Sequence, residues 1–160
     1  MDLDLAVNKL SHYDESGAVR MVDVTGKPST RRMARAHAFV KLSAVVMAGL
    51  PENPKGNPLE IARIAGIQGA KRTSELIPLC HPLPLTHADV EISLQENGVR
   101  IVSTAATTAP TGVEMEALTA AATAALTIYD MCKALDKSIE ISDLYLLEKT
   151  GGKSGPYHRE

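Results

Sequence analysis

Tryptophan is absent from these 160 residues, phenylalanine occurs once, and cysteine only twice. Without aromatic platforms on which bases could stack, single-stranded nucleic-acid binding is disfavoured. Cys80 and Cys132 lie far apart with no CxxC spacing, which leaves neither a disulfide framework nor a zinc knuckle, and a reducing compartment is the simplest setting. An excess of either charge is also missing. The formal net charge of −2 supplies no basic field to hold a polyanion, so any phosphate must be met by local cations. No stretch reaches the ~18 consecutive apolar residues of a membrane span, and MDLDLAVNKLSHYDESGAV at the start has neither a basic region nor an apolar run of signal length. A cytoplasmic protein with no nucleic acid or membrane partner is expected.

Apolar side chains are plentiful at 44%, and the core must be built from Ala, Leu, Ile, Val and Met. The length suits one domain. Residues 1–18 are polar and aperiodic and read as a flexible arm, 19–150 as the single domain, and 151–160, opening Gly151-Gly152-Lys153-Ser154-Gly155, as a flexible tail. Alternation predicts a short strand over Ala18 to Val24, and a helix capped by Ser29 or Thr30 is expected to run to Leu50. The proline-rich stretch Pro51 to Pro58 around Lys55 is a loop. A second helix is expected over Leu59 to Ile67, then a Pro-punctuated connection, Leu76 to Pro84, around His81. Strands follow at Leu85 to Gln95 and Val99 to Ser103, joined by the hairpin signal Asn97-Gly98. A long helix is predicted over Gly112 to Leu135 and a last strand over Ile139 to Leu147. Strand, helix, inserted helix, strand, strand, helix, strand is an α+β order. It predicts a ferredoxin-like antiparallel sheet with helices on one face and an inserted helix and loop region.

The long helix carries the candidate chemistry. Thr111 is placed to cap it, and Glu114 and Glu116 sit in its first turn, where the helix dipole favours carboxylates with or without a further role. Asp130 and Lys133 are spaced as an ordinary helical ion pair. The body between them is rich in alanine, the mark of a helix buried against neighbours, and charges on a buried helix need partners or a ligand. Sixteen residues from Glu114 to Asp130 span about 24 Å, too far for both ends to touch one reacting atom. An active site completed by a second subunit, with two such helices antiparallel, would resolve this. His81 could serve as acid, base or phosphate donor, or be satisfied by backbone. Arg32, Lys55, Lys71, Arg72, Lys149 and Lys153 are scattered cations, together what triphosphate recognition requires where no P-loop exists. The GGKSG run lacks the GxxxxGK[ST] spacing and no helix follows it, so it reads as a lid, not a Walker motif.

Four stretches carry a family resemblance: MVDVTGK (Met21 to Lys27), ARIAGIQGAKRTSELIPLCHPLPL (Ala62 to Leu85), TGVEMEALTAAATAALTIYDMCKALDK (Thr111 to Lys137) and the GGKSG run. Over nearly the whole chain the sequence resembles the molybdenum cofactor biosynthesis protein C family, the cyclic pyranopterin monophosphate synthases. That resemblance implies a ferredoxin-like subunit in a homo-hexamer, a trimer of dimers with sites at the dimer interface, functionally linked to an upstream radical GTP cyclase. The implied reaction converts a cyclised dihydro-GTP intermediate into cyclic pyranopterin monophosphate and pyrophosphate. Carried over position by position, Asp130 would be the principal acid/base, Lys133 its partner cation and Lys55 a second catalytic lysine. Leu79, Cys80, His81, Glu114, Met115 and Glu116 would line the pocket, with Arg32, Lys71, Lys149 and Lys153 near the phosphates or purine. No resident cofactor or metal is implied, magnesium entering only with the triphosphate. Relatives often carry a charged residue where Ala109-Pro110 stand, so a phosphate or interface contact made there must be lost or replaced, for example by Arg100 or the tail. A nucleotide-sensing module that binds without turnover is the alternative, but it would not need Asp130, Lys133, Lys55 and His81 together.

Overall fold

The computed structural model describes residues 11–160. Its elements are β1 (Thr30–Lys41), α1 (Ala44–Gly49), α2 (Pro58–Lys71), α3 (Thr73–Leu76), β2 (His87–Gln95), β3 (Gly98–Ala109), α4 (Glu114–Cys132), β4 (Glu140–Thr150) and β5 (Tyr157–His158). The sheet is antiparallel throughout, in the order β2-β3-β1-β4-β5. With α2 and α4 packed on the sheet, β1-α2-β2-β3-α4-β4 is the ferredoxin-like alternation, and β5 is an addition at its edge. Residues 1–10 of the expected arm lie outside the described residues.

The helix expected from Ser29 to Leu50 is instead the central strand β1 followed by a single short helix. Ala34, Ala36, Ala38 and Val40 are completely buried, and that period of two turns one side of the strand to the helix layer. Alanine's helix preference is overridden because a strand flanked by β3 and β4 beneath a close-packed helix needs small side chains on its inner face. The roles of the two early helices change accordingly. α2 is the crossover of the fold, longer at both ends than expected, and α1 is the insertion.

The strand expected at Ala18 to Val24 does not form. The chain there follows a small hairpin closed by a single bridge between Tyr13 and Val19. The Asp14 carboxylate accepts from the Ser16 and Ala18 amides and the Ser16 hydroxyl. Beyond Thr150 the segment expected as a tail turns through Gly151 and Gly152, both at φ +88°, and supplies β5.

The crossover helix is well specified locally. Asn57 caps it, accepting from the amides of Leu59 at 3.0 Å and Glu60 at 3.3 Å, and Pro58 occupies its first turn, where no amide partner is lost. It packs antiparallel to α4. Gly69 meets Thr119 and Thr123, Gly66 meets Ala120 and Ala124, and at the other end the Asn53 amide donates to the Met131 carbonyl at 2.9 Å. A β-carbon on Gly66 would lie 2.9 Å from the Ala120 carbonyl oxygen and 2.7 Å from a Val90 methyl. The glycines and alanines therefore set the helix spacing. The buried Ser103 hydroxyl, donating to the Ala117 carbonyl at 2.5 Å, ties α4 to β3.

Candidate active site

Polar groups collect at the two ends of α4. The helix begins at Glu114, with Val113 in the cap position and no side-chain cap, so the expected Thr111 cap does not form. Around this start lies a cleft of about 380 Å³ whose walls include Leu79, Cys80, His81, Glu114, Met115 and Glu116. His81 Nε2 lies 2.7 Å from the Val22 carbonyl oxygen. A carbonyl only accepts, so Nε2 carries the hydrogen, and in the neutral ring Nδ1 keeps its lone pair.

The two first-turn carboxylates have different fates. Glu114 is half-buried and accepts from Lys149 Nζ at 2.7 Å, and Lys149 also donates to the Ser154 hydroxyl at 3.0 Å. Glu116 is 4% exposed, and its carboxyl is pushed up to about 7 by burial, against the pull of its own backbone amide and with a further push from Glu114. Its carboxyl can hold or release a proton near neutrality. Burial also raises the Cys80 thiol, as does Glu116.

At the far end, Lys133 Nζ sits 2.6 Å from an Asp130 carboxylate oxygen. Lys55 reaches the same turn from its loop, its Nζ 3.5 Å from the Asp130 carbonyl. A second hollow of about 270 Å³ opens between that loop and the end of α4, lined by Asn53, Lys55, Met131 and Leu135 among others. The hydrogen bond from Lys133, its charge, and that of Lys55 hold Asp130 below its ordinary value, and Asp130 raises Lys133 in turn. These shifts run opposite to those of an acid/base pair poised at neutral pH. In the free subunit the pair is a carboxylate and an ammonium.

The expected residues thus fall into two groups. Asp130, Lys133 and Lys55 meet at one end; Leu79, Cys80, His81, Glu114, Met115, Glu116 and Lys149 meet at the other. Arg32 adjoins the second group, its guanidinium so close to Gly152 that a β-carbon there would clash with it, and Lys153 is exposed on the same turn. Lys71 is exposed at the last residue of α2, outside the cleft walls. Arg100 lies far from Ala109-Pro110 within the subunit. It pairs with Phe39 while Ala109 pairs with Thr30, and the nine residue steps from one to the other cover about 30 Å of strand.

His12, Val22 and Lys27 also line the cleft. Val22 and Lys27 belong to the MVDVTGK stretch but carry no expected role there, and His12 lies in the segment that reads as an arm. A histidine in an otherwise aperiodic lead-in is the one sign available. No group of three or more His, Cys, Asp or Glu residues placed to hold a metal occurs among the described residues, and no helix among them is long and apolar enough to cross a membrane.

Comparison with known proteins identifies the family. The chain is 54% identical over 153 residues to the cyclic pyranopterin monophosphate synthase of Deinococcus radiodurans, covering 93% of this chain and 89% of that one. It is also 54% identical over 158 residues to that of Heliobacterium modesticaldum, covering 96% and 99%. The protein of the same name from Peptoclostridium acidaminophilum is 49% identical over 154 residues, covering 95% and 98%. Residues 21–152 match the MoaC family, and the chain belongs to that family.

Proposed function

We propose that this chain is a cyclic pyranopterin monophosphate synthase, a lyase of molybdenum cofactor biosynthesis. It converts (8S)-3',8-cyclo-7,8-dihydroguanosine 5'-triphosphate to cyclic pyranopterin monophosphate, with a ribose hydroxyl attacking the α-phosphorus and pyrophosphate leaving. The observation that carries the reading is the presence, on one helix, of both a buried Glu116 poised near neutrality and the Asp130–Lys133 pair joined by Lys55. High identity to synthases along the whole chain favours turnover over nucleotide sensing.

The work divides between the two ends of α4. The cleft at its start binds the substrate: Glu116 and His81 meet ring nitrogens and exchange protons with them, while Lys149 and Arg32 face the phosphates, with Lys153 beside them. Cations opposite the departing pyrophosphate supply electrostatic stabilisation. Lys133, Lys55 and Asp130 deliver the second set of proton transfers. Substrate entering between Asp130 and Lys133 would weaken their ion pair, freeing each for acid/base work. Because about 24 Å of helix separates the ends, the complete site forms between two subunits, within a cytoplasmic hexamer of three dimers that takes its substrate from a radical GTP cyclase. Magnesium arrives with the triphosphate.

Incubation with the cyclised dihydro-GTP, following pyrophosphate and pterin, tests the reading. Wild-type protein should turn over, and Lys133→Ala should lose at least about a hundredfold in rate, the usual scale for one acid/base group. No turnover by wild type removes the function, and normal turnover by the variant removes Lys133 from it.

A further inference from the structure

Three buried side-chain atoms among the described residues have no hydrogen-bond partner: His12 Nδ1, Thr30 Oγ1 and Arg32 Nε. Only His12 belongs to a residue lining the cleft at the start of α4. An orphaned buried nitrogen is costly, and one in a ligand cleft points to a partner that arrives with the ligand.

The segment that carries His12 is built to place it. Asp14 closes the turn after it through three bonds to Ser16 and Ala18, and the Asp14 amide donates back to the Ala18 carbonyl at 3.0 Å. The Arg20 amide donates to the His12 carbonyl at 2.9 Å, which fixes His12 opposite the start of the run that ends at Val22. Val22 in turn holds His81. One continuous piece of chain thus presents one imidazole and orients the other at the same cleft.

We propose that His12 is a further substrate-contacting residue of the reaction, its Nδ1 hydrogen-bonding the heterocycle of the nucleotide-derived substrate rather than its triphosphate. The distribution of charge around the cleft selects the heterocycle. Lys149 and Arg32 lie toward the Gly151-Gly152 turn, which is where phosphates are drawn. His12 shares its walls with Glu116, His81, Leu79, Met115 and one cation, Lys27, a mixture of apolar surface and proton-exchanging groups suited to a pterin-like ring carrying N–H donors and ring acceptors. This inference rests on the reaction proposed above for its substrate, but the contact can be tested without turnover.

Binding of GTP and of inorganic tripolyphosphate to the assembled protein, measured by calorimetry for wild type, His12→Ala, His12→Asn and His12→Gln, separates the possibilities. Loss of one hydrogen bond to the ring should weaken GTP about tenfold in His12→Ala and leave tripolyphosphate unchanged. Asparagine, whose amide falls where Nδ1 does, should recover most of the affinity, and glutamine should not. Wild-type affinity for GTP in His12→Ala, an equal loss of both ligands, or equal rescue by glutamine would each overturn the assignment. Turnover of the cyclised substrate by wild type is measured alongside. If it is absent while the GTP-specific loss persists, the reaction is wrong and the contact stands; if it is present without that loss, the contact alone is wrong.

Discussion

Replacing Glu116 by glutamine should stabilise the protein at alkaline pH while damaging its chemistry. The side chain is 4% exposed at the start of α4, and its carboxyl is raised from the ordinary 4.5 to about 7, first by burial and then by Glu114. Below pH 4.5 the group is neutral in folded and unfolded chains and contributes no difference. Between 4.5 and 7 the unfolded chain releases a proton that the folded chain keeps, so stability falls as pH rises. Above 7 the whole penalty is present. Each pH unit between those two values is worth roughly 1.36 kcal/mol, which brings the penalty to about 3 kcal/mol. Glutamine fills the same space without the charge. Urea unfolding of both proteins at pH 5 and pH 8 reads the effect: the variant should gain under about 1 kcal/mol at pH 5 and about 3 kcal/mol at pH 8. A gain independent of pH, or a loss at pH 8, would refute the reasoning, since it would mean that the carboxylate is compensated where it sits. Turnover should fall at least about a hundredfold in the same variant if Glu116 carries a proton in the reaction.

Mixed assemblies of Glu116→Gln and Lys133→Ala subunits, unfolded together and refolded, should recover turnover that neither variant shows alone, because some sites then combine two intact halves; no recovery would place both residues in one subunit's site. Gly66→Ala should cost about 1–3 kcal/mol in urea unfolding, since the new methyl meets the Ala120 carbonyl and Val90 at under 3 Å, whereas Gly26→Ala, with open space around it, should be silent. Asn57→Ala should cost about 1 kcal/mol through loss of the two amide bonds that begin α2, with midpoint and slope from the same denaturation series as the check.

The sequence is most legible where pattern and tertiary context agree. Around Asn97-Gly98 the alternation on both sides and the turn residues demand a hairpin, and β2 and β3 form one there, its two-residue loop falling one step earlier, at Glu96-Asn97, with Gln95 opposite Gly98. α4 is equally plain, since its alanines suit both helix propensity and close packing. The failure at β1 has the opposite cause. Ala34, Ala36 and Ala38 favour a helix locally, and only the two flanking strands and the helix layer above, which are distant in sequence, make small residues at every second position the better solution. The site divides in the same way. Charged residues in dense motifs can be singled out and placed along α4, whereas His12 reaches the cleft through a hairpin held by Asp14, a local device of side-chain to backbone bonds that leaves no hydrophobic period to detect.

The electrostatics change what the long helix is for. Its two ends carry opposite kinds of preparation. At the start, burial keeps Glu116 able to hold a proton near neutrality; at the finish, Lys133 and Lys55 keep Asp130 ionised in exposed positions. Were both sets packed together in one subunit, Lys133 and Lys55 would lie near Glu116 and pull its carboxyl back toward the ordinary range, removing the feature that suits it to proton exchange. Some 24 Å of alanine-rich helix prevents this. Separation along the helix therefore preserves the raised proton affinity of Glu116 and the ionised state of Asp130 within the subunit.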